Sequence, residues 1–273
     1  MKNSIKSFTL VVRPDDKSRQ IADNIRNVNS NLLNSLTESD DGDLVIAIGG
    51  DGTFIDAVTR MNFSKKKVFT GVHTGTLGFM QDLSQKDIFS IMRYFRYEEE
   101  ITVRKVYVAL VNVHLKDESV LSCYSLNEVQ VAGANYSKIS FDEYINGELL
   151  QRISGNGIII ATSTGDTAYS LNANGAIDFS NNFQLVCTLD TPIRNAVFER
   201  FITNSIICSR INIILKPADN IVINIDGKKK DIDSKMIERV EVTMIDDSNY
   251  INKFDPNNFS KIQTIREKIL GYK

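Results

Sequence analysis

Apolar and polar positions along the first hundred residues follow two periods in turn. Phe8–Val12 is a short apolar run closed by Arg13 and Pro14, the pattern of a strand. Ile21, Ile25, Val28, Leu32 and Leu36 then recur every three or four residues, the stripe of an amphipathic helix. Leu44–Ile48 (LVIAI) is continuously apolar, as expected of a strand covered on both faces in a parallel sheet. It runs straight into Gly49 and Gly50, and Phe54–Met61 predicts the helix that follows. Lys67–Val72 predicts a third strand, leading to a second glycine-bearing loop, Thr74-Gly75-Thr76-Leu77-Gly78. Ser84, three residues before Asp87, predicts a helix start ahead of IFSIMRYF. Strands alternating with helices imply a parallel sheet with helices on its faces.

From about Ile101 the texture changes. Ile101–Leu115 is long, β-branched and alternating in places, and Ile139, Phe141, Glu143 and Ile145 alternate before Asn146-Gly147. That dipeptide is the strongest short signal for a type I′ hairpin turn. Asp226-Gly227 repeats the device between IVINI and a later strand at Val240–Ile245. A mostly antiparallel second domain is expected, with a boundary in the charged stretch Arg96–Glu100. The fold expected is therefore α/β plus all-β: an α/β domain at 1–98 and a β-rich, sandwich-like domain at 99–257. A C-terminal helix at about 258–271, with helical spacing at Ile262, Ile265 and Ile269, is expected to dock back on the first domain.

Composition narrows the classes of function. Hydrophobic residues make up 42% and charged residues 24% of the 273 positions, the balance of a soluble globular protein. A formal net charge of −2 argues against a nucleic-acid partner, which calls for a basic excess or face. No run of about 18 apolar residues predicts a membrane span, and Met1–Pro14 carries no apolar stretch of signal-peptide length. Three cysteines at wide spacing (Cys123, Cys187, Cys208) read as reduced thiols of a cytoplasmic protein. Only two histidines, His73 and His114, exist, so a His-rich metal site is excluded.

The segment Gly49-Gly50-Asp51-Gly52-Thr53 carries the chemistry. Glycines directly after a buried strand let the backbone turn and expose N–H groups with no side chain in the way. The helix that follows points its positive end at the same spot, a phosphate site. A carboxylate at Asp51 repels phosphates, so its presence calls for a compensating role. It could accept a proton from an attacking hydroxyl, bind magnesium, or do both. Read alone, the segment is equally a strand-to-helix turn with Asp51 as its cap. Neither the P-loop pattern nor a Gly-x-Gly-x-x-Gly fingerprint is present.

GGDGT resembles the signature shared by NAD kinases, diacylglycerol and sphingosine kinases and, more distantly, phosphofructokinases. Three further segments resemble NAD kinases in particular. They are Val72–Phe79, ending in Leu-Gly-Phe; Leu126-Asn127-Glu128; and Gly155-Asn156-Gly157 followed by Thr162–Ser170. The resemblance implies an N-terminal Rossmann-like domain with a parallel sheet and a β-rich C-terminal domain. It implies that Asp51 is the catalytic aspartate, with Gly49, Gly50, Gly52 and Thr53 at the phosphates. It further implies that Gly52, Phe79, Asn127, Glu128, Asn156, Thr164, Thr167, Ala168 and Tyr169 contact NAD. Chemistry agrees at several of these. Ionised Glu128 accepts from a vicinal diol, Asn127 offers both donors and an acceptor, and Tyr169 can stack on a base.

The resemblance thus implies an NAD kinase, moving a phosphoryl group from ATP or polyphosphate to the adenosine 2′-hydroxyl of NAD. Magnesium or another divalent cation would assist, and the enzyme would be a cytoplasmic dimer or tetramer without nucleic-acid or membrane partners. The metal's ligands are not assigned. This chain departs from the family where Asn156 replaces an aspartate, Ser163 a proline and Asp166 a serine. Asn156 removes a counter-charge, and Asp166 brings a negative charge toward the phosphates. Two alternatives follow: a lipid kinase sharing GGDGT, or a catalytically weak dinucleotide sensor. His73 reads as a structural loop histidine and Lys228-Lys229-Lys230 as a solvated hairpin tip.

Overall fold

The computed structural model describes residues 1–75, 78–180, 184–192, 203–215, 220–244, 247–256 and 258–271. Thr76, Leu77 and Ile245, which belong to the segments named above, lie outside the described residues. The chain divides into two compact units, Met1–Val106 with Tyr250–Lys273, and Tyr107–Asn249.

The first unit is built on a six-stranded sheet. Its strand order is Thr37–Glu38, Ser7–Val12, Leu44–Gly49, Val68–His73, Tyr250–Phe254, Val103–Tyr107. Pairings along the first five of these strands are all parallel. All six residues of Leu44–Gly49 are buried, as a central parallel strand requires. Alternation divides its side chains between two layers. Leu44, Ile46 and Ile48 join a core with Ile21 and Ile25 of helix Asp16–Ser30 and Met92 and Phe95 of helix Ile88–Tyr97. Phe54 of helix Asp51–Arg60 meets Phe69 edge-on at 6.4 Å. The α/β expectation for this half is met.

Two elements differ from the sequence pattern. The first helix stops at Ser30, short of Leu32 and Leu36. Asn29, buried near its end, donates to the Leu36 carbonyl at 2.8 Å and accepts from the Leu36 amide at 3.0 Å. Leu36 therefore reaches the core from a loop tied to the helix by one side chain. The second difference is Tyr250–Phe254, which the pattern leaves with the β-rich half. It pairs in parallel with Val68–His73 and completes the first unit's sheet. The C-terminal helix, Lys261–Lys268, capped by Ser260, belongs to the same unit.

The second unit is antiparallel throughout its described pairings, with eleven strands in one network. Its core is a cluster chiefly of Val, Ile and Leu side chains, with Phe141, Met244 and the buried cysteines Cys187 and Cys208. Both expected hairpin turns are present. Asn146 and Gly147, and Asp226 and Gly227, all have positive φ (52°, 93°, 51° and 74°), as type I′ geometry demands. The second hairpin closes with the short strand Lys228–Lys229, and Ile237–Thr243 pairs elsewhere. The fifteen-residue strand Glu148–Thr162 changes partners midway. Residues up to Gly155 pair with Ile139–Ile145, and residues from Gly157 pair with Glu128–Gly133.

Candidate functional site

In the first unit the buried strand Leu44–Gly49 delivers the chain to a helix whose first residue is Asp51. Gly50, in extended geometry, is the N-cap, and no side chain caps this helix. Asp51 is therefore not the cap that a generic turn would make of it. Thr53's amide donates to the Gly50 carbonyl at 2.9 Å, so it is already engaged. Among the described residues nothing accepts from the amides of Asp51 and Gly52. Unpaired N–H groups at a helix start form an anion site. A Cβ at Gly50 or Gly52 would point into open space, so these glycines clear the approach to the amides. Gly49 has a different reason, since a Cβ there would overlap the Thr53 hydroxyl.

The segment Gly78–Met80, which ends the second glycine-bearing stretch, closes on Asp51 directly. Asp51 Oδ2 accepts from the Phe79 amide and Oδ1 from the Met80 amide, both at 2.9 Å. A Cβ at Gly78 would overlap the Asp51 carboxylate, which explains the glycine. Each following residue has its own tie. Buried Gln81 donates to the Gly50 carbonyl at 2.7 Å, and Asp82 forms an ion pair with Lys253, which is fully buried. Leu83's amide donates to Gly71 at 3.0 Å. Burial pushes the Lys253 ammonium down to about 7, against the pull of Asp255 and Asp51. From the C-terminal helix, the Lys268 ammonium reaches the Gly78 carbonyl and lies 5.3 Å from the centre of the Phe79 ring. His73 is held locally, its Nδ1 3.0 Å from the Gly75 carbonyl, as a structural loop histidine would be.

In the second unit Asn127 and Glu128 sit on a turn organised by one carboxylate. Asp226 accepts from the Ser125 hydroxyl at 2.9 Å and from the amides of Leu126, Asn127 and Glu128 at 2.9, 2.7 and 3.2 Å. Thr162 locks the same turn from its other side. Its hydroxyl donates to the Leu126 carbonyl at 2.6 Å, and its amide to Asn127 at 2.8 Å. A Cβ at Gly165 would overlap the Asn127 backbone, so the Thr162–Gly165 turn stacks on it without space to spare. The result is two acceptors with nothing to accept from. Asn127 Oδ1 and Glu128 Oε2 are buried and have no hydrogen-bond partner among the described residues. Burial, and secondarily the charge of Asp226, push the Glu128 carboxyl up to about 7.

Tyr169 opens a helix of only four residues, and its ring is exposed. Gln130 donates to its hydroxyl at 3.5 Å. Gln130 and Glu128 are two apart on one strand and share a face, so Tyr169 stands on the Glu128 side of the sheet. Thr164, Thr167 and Ala168 form the turn between, with Thr167 donating to the Thr164 carbonyl at 3.5 Å. Asn156 is not brought to this group. It lies five residues up the strand from Ala161, which pairs with Glu128, or about 17 Å at 3.3 Å per residue. Its neighbour Gly157 is explained by packing, because a Cβ would overlap the Val131 carbonyl. Asp166 is fully buried and accepts from the Asp178 amide at 2.7 Å. Its side chain is turned into the interior of the unit.

An open helix start with a held carboxylate in one unit, and unpartnered buried acceptors in the other, are features suited to a nucleotide-handling protein, and similarity to known proteins gives the kinase class. The chain belongs to the ATP-NAD kinase family, whose N-terminal domain matches residues 9–100 and whose C-terminal domain matches residues 126–254. It is 32% identical over 226 residues to an NAD kinase of Lactobacillus acidophilus, covering 81% of this chain and 82% of that protein. It is also 32% identical over 216 residues to NAD kinase 1 of Oceanobacillus iheyensis, covering 77% and 79%. A yeast NADH kinase complexed with NADH shares the fold, with a TM-score of 0.81 and 19% identity over 98% of this chain and 88% of that one. So does an Archaeoglobus fulgidus NAD kinase in complex with ATP, with a TM-score of 0.73 and 17% identity over 98% and 100%.

Proposed function

We propose that this chain is an NAD kinase that phosphorylates the 2′-hydroxyl of the adenosine ribose of NAD, giving NADP. The observation that carries the reading is the pair of buried, unpartnered acceptors on Asn127 and Glu128. A buried acceptor without a donor is costly, and a ligand bringing donors removes that cost. A ribose diol offers two O–H donors and an adenine offers an amino group, and both match these atoms. Tyr169 then supplies an aromatic face on the same side of the sheet.

The first unit supplies the phosphoryl chemistry in this reading. The 2′-oxygen attacks the terminal phosphorus of ATP, the bond to the bridging oxygen breaks, and ADP leaves. The hydroxyl proton passes to Asp51 or, with Asp51 orienting the hydroxyl, to water. The open amides of Asp51 and Gly52 meet phosphate oxygens as their charge develops. A divalent cation fits the donor set that remains. Asp51 gives one lone pair of each oxygen to Phe79 and Met80 and keeps others free. Asp51 is the carboxylate that would hold such a cation, together with oxygens of the donor's phosphates. Such a cation would neutralise charge on the transferred group. We further propose a cytoplasmic homo-oligomer, dimer or tetramer, with ATP or polyphosphate as the phosphoryl donor.

The test is a coupled assay. NAD, magnesium and either ATP or polyphosphate are supplied, and NADP is detected with an NADP-specific dehydrogenase. NADP formation with ATP is expected. Tight NAD binding with no NADP from either donor would overturn the reading in favour of a sensor.

A further inference from the structure

Two contacts fall on opposite ends of a single peptide unit. The carbonyl of Gly78 is bonded by the Lys268 ammonium, and the amide of that same unit, Phe79 N–H, donates to Asp51 Oδ2. A peptide unit is planar and trans, so its C=O and N–H point in opposite directions. The order of groups is therefore ammonium, carbonyl, amide, carboxylate: a positive charge at one end of a hydrogen-bonded chain and a negative charge at the other. Each bond in such a chain polarises the next. Lys268 also lies over the Phe79 ring, which fixes the following side chain as well as the peptide. A Cβ at Gly78 would overlap Asp51, so this peptide packs directly against the carboxylate. Removing the ammonium frees the peptide to rotate away from the carboxylate.

We infer that Lys268, on the C-terminal helix, is a positioning residue that holds the Gly78–Phe79 peptide in the orientation that binds and aims the Asp51 carboxylate. The inference rests on the reading of Asp51 as the carboxylate of phosphoryl transfer, but the contact itself does not. Nothing in the motif segments points to this residue. Gly78 and Lys268 are 190 positions apart. Lys253 ties the same segment through Asp82, leaving Lys268 as the ammonium on the peptide that touches Asp51.

The full-length chain is tested as Lys268→Met, which keeps the stem, Lys268→Arg, which keeps a donor, and Arg266→Met, an exposed change on the same helix. Two quantities are read: steady-state NADP formation, and hydrogen exchange of the Phe79 amide by NMR on labelled protein. Lys268→Met is expected to lower kcat about 10–100-fold, the scale for removing a partner that orients a functional group. KM for NAD should stay within about twofold and the Phe79 amide should exchange at least about tenfold faster. Lys268→Arg should recover most of kcat, and Arg266→Met should match wild type. Wild-type Phe79 exchange in Lys268→Met overturns the inference, whether or not kcat falls. Equal losses in Lys268→Met and Arg266→Met overturn it too, since they would report only helix docking. A wild-type chain that makes no NADP would sink the proposed function instead, and the exchange rates would still decide the role of Lys268.

Discussion

The amide of Phe79 lies 2.9 Å from Asp51 Oδ2, and this one hydrogen bond joins two motifs 28 residues apart in sequence. Together with the Met80 bond it makes the Gly78–Met80 segment a holder for the carboxylate. Asp51→Asn keeps one acceptor oxygen and turns an NH2 group toward the other amide. The expected outcome is a kcat lower by about 10²–10⁴-fold, with NAD affinity little changed. Loss of a charged acceptor should also cost about 1–3 kcal/mol in urea unfolding. Near-wild-type turnover would remove Asp51 from the chemistry.

Two glycines of this site separate stability from activity. Gly78→Ala forces a methyl group into the Asp51 carboxylate, so stability should fall by about 1–3 kcal/mol and activity with it. Gly52→Ala meets no protein atom, and helix propensity favours alanine by up to about 1 kcal/mol. That variant should be as stable as wild type or more so, while KM for ATP rises about tenfold through the blocked amide. Thermal melts and kinetics on the two variants check the pair. A Gly52→Ala protein with unchanged kinetics would show that no phosphate approaches there.

Glu128 gives a pH dependence with a definite sign. Its carboxyl is raised from 4.5 to about 7 in the folded protein, so ionisation is penalised in the fold but not in the unfolded chain. The penalty is absent below the unfolded value, grows from about pH 4.5 to 7, and persists above. It amounts to about 3 kcal/mol at most. Glu128→Gln should therefore be more stable than wild type at pH 8 and gain little at pH 4.5. Ligand hydroxyls favour the ionised form, so KM for NAD should fall as pH rises through about 7 and then level off. In Glu128→Gln, KM should be high and flat with pH. A wild-type KM that rises over the same interval would contradict this assignment.

Asp226 supports that response from the hairpin turn. Asp226→Asn removes the negative neighbour, so the Glu128 carboxyl should move back toward its ordinary value, partly, because burial is the larger cause. The pH at which KM levels off should shift downward. Three turn amides would share one remaining acceptor oxygen, at a cost of about 1–3 kcal/mol in urea unfolding. An unchanged KM profile would show that Asp226 acts only on the turn.

The parts legible in the sequence are those set by local pattern. Leu44–Ile48 reads as a buried parallel strand because both of its faces are covered, and the structure buries every residue of it. Asn146-Gly147 and Asp226-Gly227 read as hairpin turns because few other residues tolerate positive φ at both positions. What sequence could not give is long-range and polar. Lys253 breaks the apolar pattern of Tyr250–Phe254, yet it is fully buried against Asp82. Gln81, Lys268 and Asp226 each act on a backbone group distant in sequence, and no periodicity marks such a partner. Asp226 is visible in the sequence only as a turn residue, although its carboxylate shapes the Asn127–Glu128 turn. Asn156 and Asp166, which stand out as departures from the family, lie respectively far along the strand and inside the unit.

The position of the transferred phosphoryl group decides whether this chain is a 2′-kinase of NAD. The full chain is incubated with NAD, ATP and magnesium, and the products are resolved by ³¹P NMR and mass spectrometry. One ADP should be released for each NAD consumed, with a new phosphate monoester on the 2′-oxygen of the adenosine ribose. ADP formed without a phosphorylated dinucleotide, or a phosphate carried on any other hydroxyl, would contradict it.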